Sequence, residues 1–281
     1  QTFIPSHFIL WLVNNPPFLQ TLMKSLHELE SILSTPSRIA ITHHYNPDAD
    51  ALGSTLALSF YLQKKGHECT VISPNTIPDF LKWMPGIDQV LVFEENREEV
   101  IKVLNKASIL FCLDFNDLSR TKSLEQSLHS FQGIRVMIDH HLAPSTIFDY
   151  GINIPAKSST CEMVYDYIQS NQDEGMIDLD IAQNLYAGAM TDTGSFKFPC
   201  TTASVHQMVA VLMEKGIDTA NIHSAIFDTF KENRLRFLGY ILSEKMQVSH
   251  AQHAAIISVS SEEMNKFKLS TGDTEGIVNY P

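Results

Sequence analysis

Three apolar, β-prone runs of this chain each stop at a carboxylate or an imidazole. Arg38-Ile39-Ala40-Ile41-Thr42-His43 leads into His44-Tyr45-Asn46-Pro47-Asp48-Ala49-Asp50, Ser108–Leu113 into Asp114, and Ile134–Ile138 into Asp139-His140-His141. Runs of this kind lack a polar alternation, as strands buried on both faces of a parallel sheet must. Helical stretches are read at Ala51–Lys65, closing at Gly66, and at Glu94–Lys106, with further strands at Glu68–Ser73 and Gln89–Phe93. Strand and helix alternating at short intervals predict an α/β fold: an open, mostly parallel sheet with helices on both faces. The carboxyl ends of such strands form the binding crevice, so acids and histidines from three strands arrive at one edge.

After about residue 150 the pattern turns helical, at Ser159–Ser170, Leu179–Ala189, Ala203–Lys215, within Asp218–Phe230, and at Lys231–Lys245. Ala254–Ser260 returns to strand and runs into Ser260-Ser261-Glu262-Glu263, where a serine can cap a helix. The reading divides the chain into four parts. Residues 1–22 are an extension or arm, left out of the fold argument because the first Met is Met23. Residues 23–205 form the main α/β domain, 206–245 a helical linker, and 246–281 the beginning of a smaller α/β domain.

Thirty-two acidic against twenty basic residues give a net charge of −12. That balance opposes unaided tracking of long DNA, which needs a basic footprint, and leaves room for short anionic substrates held through cations. The four cysteines, Cys69, Cys112, Cys161 and Cys200, lack C-x-x-C spacing, which points to a reducing compartment. The apolar run Phe8–Val13 is too short to span a bilayer and lacks a signal-peptide flank. A cytoplasmic protein with no membrane partner is expected.

A fourth acid, Asp192 in Met190-Thr191-Asp192-Thr193-Gly194-Ser195-Phe196, follows a helix and can close the site from the other side. Crowded carboxylates repel one another until divalent cations neutralise them. Mixed oxygen and imidazole donors suit Mn²⁺, or Mg²⁺, Co²⁺ and Fe²⁺, better than a thiolate zinc site. Two such ions roughly 3.5–4 Å apart activate water and clamp a phosphoryl group. Taken singly, an Asp at a strand end is as readily an Asx turn or a helix cap, Asp50 and Asp139 included. Isolated His67, His129, His206, His223, His250 and His253 read as ordinary histidines. Turn chemistry explains the coincidence at three strand ends poorly. Gly53-Ser54 reads either as close helix packing or as helix amides offered to an anion.

His44-x-x-x-Asp48-x-Asp50-x-x-Gly53-Ser54, Asp114, Asp139-His140-His141 and Asp192-Thr193-Gly194-Ser195-Phe196 occur in that order over about residues 36–200. This set resembles the motifs of the DHH phosphoesterase superfamily, and the chain looks most like its bacterial oligoribonuclease and pAp phosphatase group, often called exopolyphosphatase-related. The resemblance implies two divalent ions, Mn²⁺ foremost. His44, Asp48 and Asp114 would hold one, and Asp50, Asp114, His140 and Asp192 the other, with Asp114 bridging. His141 would contact the scissile phosphate or protonate the leaving oxygen, and Asp139 would orient a ligand imidazole. Arg120 and Ser54 would meet substrate phosphate, a surface salt bridge being the other reading of Arg120.

The activity implied is hydrolysis of very short RNA to 5′-mononucleotides and removal of the 3′-phosphate of 3′-phosphoadenosine 5′-phosphate (pAp). Pyrophosphatase or cyclic or linear dinucleotide phosphodiesterase chemistry would use the same centre. A non-catalytic nucleotide-binding module is the alternative of another class, and a homodimer is left open. Family members carry a C-terminal domain with a Gly-rich, His-containing motif. No Gly-Gly-His stretch follows Glu275-Gly276 before Pro281, so an incomplete or truncated cap is expected.

Overall fold

The computed structural model describes residues 23–228, 231–269, 273–274 and 276–280; the expected arm 1–22 lies outside them. Six parallel strands make the main sheet: β1 (Arg38–Thr42), β2 (Glu68–Ser73), β3 (Leu91–Val92), β4 (Ile109–Leu113), β5 (Ile134–Asp139) and β6 (Tyr150–Asn153). Their order is β3-β2-β1-β4-β5-β6. The chain therefore builds outward from β1 in one direction, returns to the middle, and builds outward from β4 in the other. The β1–β4 junction is the topological switch point, where crevices open in sheets of this kind.

Alternation along the buried strands sends side chains to two cores. Ile39, Ile41, Ile109 and Phe111 face one, with the helices α1 (Leu26–Leu33), α2 (Ala49–Lys64), α5 (Thr160–Ser170) and α6 (Leu179–Asp192). Ala40, Leu110, Cys112 and Met137 face the other, with Val100 and Leu104 of α3 (Arg97–Lys106) and Leu128 of α4 (Glu125–His129). The expected α/β sheet covered on both faces is what the chain forms.

Helix α2 is buried almost all round, because it lies between the sheet and the α5–α6 pair. Gly53 permits that approach: a Cβ there would stand 2.4 Å from the carbonyl oxygen of Asn184 in α6. The helix begins two residues before the expected Ala51 because Asp48, not Asp50, caps it, accepting from the amides of Asp50 and Ala51.

Four of these elements were not read from the sequence, the one-turn helix α4 among them. Helix α1 is set by a capping box between Ser25 and Glu28. Strand β6 is an edge strand whose outer side meets Lys24. Strand β7 (Met246–Ser249) pairs antiparallel with β8 (Ala254–Ile257). The helices α7 (Ala203–Glu214), α8 (Thr219–Phe227), α9 (Glu232–Tyr240) and α10 (Ser261–Lys266) complete the described residues. The expected stretch 231–245 is α-helical to Tyr240 and then widens into a π turn over Ile241–Lys245. Among the described residues no helix is long and apolar enough to cross a membrane.

Candidate metal centre

The crevice at the switch point collects its side chains from five segments. His44 follows β1, Asp48 and Asp50 open α2, Asp114 follows β4, His140 and His141 follow β5, and Asp192 ends α6. Asp114 takes a left-handed backbone conformation, φ 62°, uncommon for a residue with a side chain and a place where functional sites hold strain. His44 Nε2 lies 3.3 Å from Asp114 Oδ2 and 3.8 Å from Asp48 Oδ2. His140 Nε2 lies 3.4 Å from Asp114 Oδ1 and 3.5 Å from Asp192 Oδ2. Asp114 thus stands between the two imidazoles.

Among the described residues three overlapping groups have donor atoms close enough to share an ion: His44, Asp48 and Asp114; Asp50, His140 and Asp192; and Asp114, His140 and His141. The donor set fits hard to borderline divalent cations, being carboxylate oxygens and imidazole nitrogens without a thiolate. Orientation fits too. His44 Nδ1 is held by the carbonyl of Tyr45 at 2.9 Å and His140 Nδ1 by that of Lys157 at 3.3 Å. Both Nε2 atoms are left facing the carboxylates, the arrangement ligating histidines need.

The electrostatics match a site built for cations. Burial alone would pull the His44 imidazole down, yet its hydrogen bond to Asp114 and the charges of Asp114 and Asp48 push it up to about 9. His140, likewise opposed by burial, is pushed up to about 9 by Asp114 and Asp50. Asp114 is disfavoured by burial but held well below the usual carboxylate range by the two histidines. Burial and the charges on Asp114 and Asp48 push Asp50 up to about 7, and burial with the charges on Asp50, Asp48 and Asp114 raises Asp192. Protons do here what divalent ions would do.

The sign of the pH dependence follows. His44 and His140 titrate above their ordinary 6.5, so the stability they add is complete below about pH 6.5 and lost as pH rises through about 9. Asp50, raised from 3.8 to about 7, acts in the same direction over about pH 4–7. In EDTA the melting temperature is expected to fall between about pH 6 and pH 9, and Mn²⁺ is expected to offset that fall. A melting temperature that rises with pH in EDTA would contradict this account of the centre.

The family model for "DHH family, N-terminal domain" matches residues 38–189. The chain belongs to the DHH family. It is similar to an exopolyphosphatase-related protein of Bacteroides fragilis, 36% identical with a TM-score of 0.86, over 91% of this chain and 75% of that one. It is 28% identical to the bifunctional oligoribonuclease and PAP phosphatase NrnA of Thermus thermophilus over 76% of this chain and 61% of that protein. The Bacillus subtilis NrnA is 23% identical over 89% of this chain and 75% of that protein.

In this DHH chain the structure brings His44, Asp48, Asp50, Asp114, His140, His141 and Asp192 together. Asp139 lies under His141 rather than under His140. It is wholly buried, accepts from His141 Nδ1 at 2.7 Å and from the His141 amide, and is itself held by Asn153. Ser54 is not brought to the crevice: it is wholly buried one turn up α2, its hydroxyl donating to the Ala51 carbonyl. Arg120 is half-buried, its carbonyl accepting from the Tyr45 amide, and its side chain makes no ion pair among the described residues.

Two features of the site had no reading in the sequence. Asp50 accepts from the amides of Thr160 and Cys161 at 2.6 and 2.8 Å, and Asp114 accepts from the Thr160 hydroxyl at 3.0 Å. Ser158-Ser159-Thr160 carries only the signal of a helix start, which Ser159 indeed caps. The other feature is a cleft of about 520 Å³ that begins at Asp48 and Asp192 and is walled by Phe80, Phe198, Phe227 and Lys197.

Proposed function

We propose that this DHH chain is a metal-dependent phosphoester hydrolase acting on very short RNA and on pAp. The observation that carries the reading is the continuity of the candidate metal centre with an aromatic cleft large enough for a nucleotide. Relatives named oligoribonuclease and PAP phosphatase support the same substrates. Phenyl rings beside the acids favour a substrate with a base over bare pyrophosphate, because rings stack on bases without sequence preference. A cleft of this volume in a chain of net charge −12 suits a short substrate better than a long polymer.

His44, Asp48 and Asp114 would hold one divalent ion, and Asp50, His140, Asp192 and Asp114 a second. Mn²⁺ is the ion we favour. Such ions supply Lewis-acid activation of water and of the phosphoryl group. The chain's own residues do the rest. Asp139 fixes the His141 ring through Nδ1, leaving Nε2 without a hydrogen bond among the described residues. That nitrogen can carry a proton to the leaving oxygen, with Asp139 stabilising the imidazolium. The raised-pKa carboxylates Asp50 and Asp192 bind cations only after giving up protons, so metal uptake is coupled to pH.

The test is an Mn²⁺-supplemented assay with RNA di- to pentanucleotides, pAp, cyclic dinucleotide and pyrophosphate in parallel. Turnover of short RNA and pAp with pyrophosphate spared is expected; hydrolysis of pyrophosphate alone would overturn the substrate. Binding of pAp without turnover of any substrate would favour a binding module. In the active protein Phe198→Ala is expected to raise KM for pAp and dinucleotides by roughly tenfold with little change in kcat, the effect of losing one base stack. An unchanged KM would remove Phe198 from the substrate contact.

A further inference from the structure

One buried carboxylate lies outside the centre and makes no contact with any candidate ligand side chain. Glu162, in the first turn of α5, is 2% exposed, where an ionised side chain persists only if fully partnered. Its partners all come from the segment before α5 and from α7. Lys157 Nζ and the Ser204 hydroxyl donate to Oε1, each at 2.8 Å. The Ser158 amide and hydroxyl donate to Oε2 at 2.9 and 2.8 Å. The Glu162 amide in turn donates to the Ser159 hydroxyl at 3.0 Å.

The segment fastened in this way is the one that touches the centre. The Lys157 carbonyl sets His140 Nδ1, the Thr160 and Cys161 amides hold both oxygens of Asp50, and the Thr160 hydroxyl holds Asp114. A helix cap alone would need one acceptor for one or two amides, and Ser159 already serves that role. Glu162 gathers a lysine, a serine amide and two hydroxyls, and so fixes the path of residues 157–161.

We propose that Glu162 is a positioning residue for the metal centre: it aligns His140, Asp50 and Asp114 through the 157–161 segment without contacting an ion or substrate. This rests on reading those three side chains as metal ligands. Groups that orient ligands from behind typically set affinity by 10- to 100-fold. Both oxygens of Glu162 accept two donors, so an amide in its place must turn an N–H₂ toward Lys157 or toward the Ser158 amide. The segment then shifts, and the centre's geometry with it.

The experiment is calorimetric titration of the metal-free full chain with MnCl₂, at a temperature where circular dichroism shows each variant folded. Glu162→Gln is expected to bind Mn²⁺ at least tenfold more weakly. Asp166→Asn, which removes the outer carboxylate partner of Lys157 and leaves the segment's contacts in place, is expected to bind as the wild type does. Mn²⁺ electron paramagnetic resonance of the loaded proteins reports the same distinction, with an altered spectrum for Glu162→Gln only. If Glu162→Gln does not fold, Ser158→Ala, which removes one donor to Glu162, is read by the same criterion with an expected loss of about threefold. A folded variant with wild-type affinity and spectrum overturns the proposal. A wild-type chain that binds no Mn²⁺ overturns the metal reading and this inference with it.

Discussion

Replacing Asp114 with asparagine is expected to lower Mn²⁺-dependent hydrolysis on the order of a thousandfold and to remove at least one Mn²⁺ from a calorimetric titration. Asp114 is 2% exposed and sits between His44 and His140, one carboxylate oxygen toward each. Among the described residues no other carboxylate belongs to two of the candidate groups. An amide keeps the shape but loses the charge that neutralises cations and one of the two oxygen acceptors. Losing several kcal/mol of transition-state stabilisation at such a centre corresponds to about three powers of ten in rate. Retention of full activity by Asp114→Asn would mean that the crevice binds no ion through this residue.

Gly188→Ala is expected to have the second largest effect, and its sign runs against helix propensity. In an exposed helix, glycine to alanine stabilises by about 1 kcal/mol. At Gly188 in α6, a Cβ would stand 2.3 Å from Cys161 Sγ and 2.8 Å from both Cα and Oδ1 of Asp50. The Asp50 backbone belongs to a helix packed on both sides and has no room to retreat. Overpacking of this kind costs about 1–3 kcal/mol, which outweighs the propensity gain. Displacing Asp50 also loosens its bonds to Thr160 and Cys161, and misplacement of about 1 Å can cost on the order of a hundredfold in rate. A lower melting temperature and a large loss of Mn²⁺ affinity are the expected readings. Gly239→Ala, at an exposed α9 position with open space around the added methyl, is the control and is expected to leave both unchanged or slightly improved. Equal behaviour of the two variants would refute the packing argument.

Much of this protein is legible before any coordinates. The strands β1, β4 and β5 were readable because burial on both faces makes the middle of a strand continuously apolar, a local property. Where each run stops was equally readable, so His44, Asp114 and His140 could be assigned to one edge of a parallel sheet. The elements that escaped are those whose apolar signal is short or shared. Strand β6 is a four-residue edge strand with a single fully buried position, and β7 is half exposed. Helix α1 is the exception: Leu26, Leu29 and Leu33 at helical spacing and the cap pair Ser25 and Glu28 were signals in the sequence that went unread.

Within the site, the residue types and their order along the chain were set by the sequence itself, through strand ends and a helix start. Only the tertiary structure decided what holds them. Pairing of β1 with β4 puts His44 beside Asp114, and the amide that grips Asp50 belongs to Thr160, 110 residues away. It also turned Asp139 toward His141, enclosed Ser54 within α2, and seated Glu162 behind the 157–161 segment. Periodicity and capping are written in neighbours a few residues apart, whereas a hydrogen-bond partner or a helix contact is chosen by packing between segments far apart in the chain. The donor atoms were therefore readable in advance, and their alignment was not.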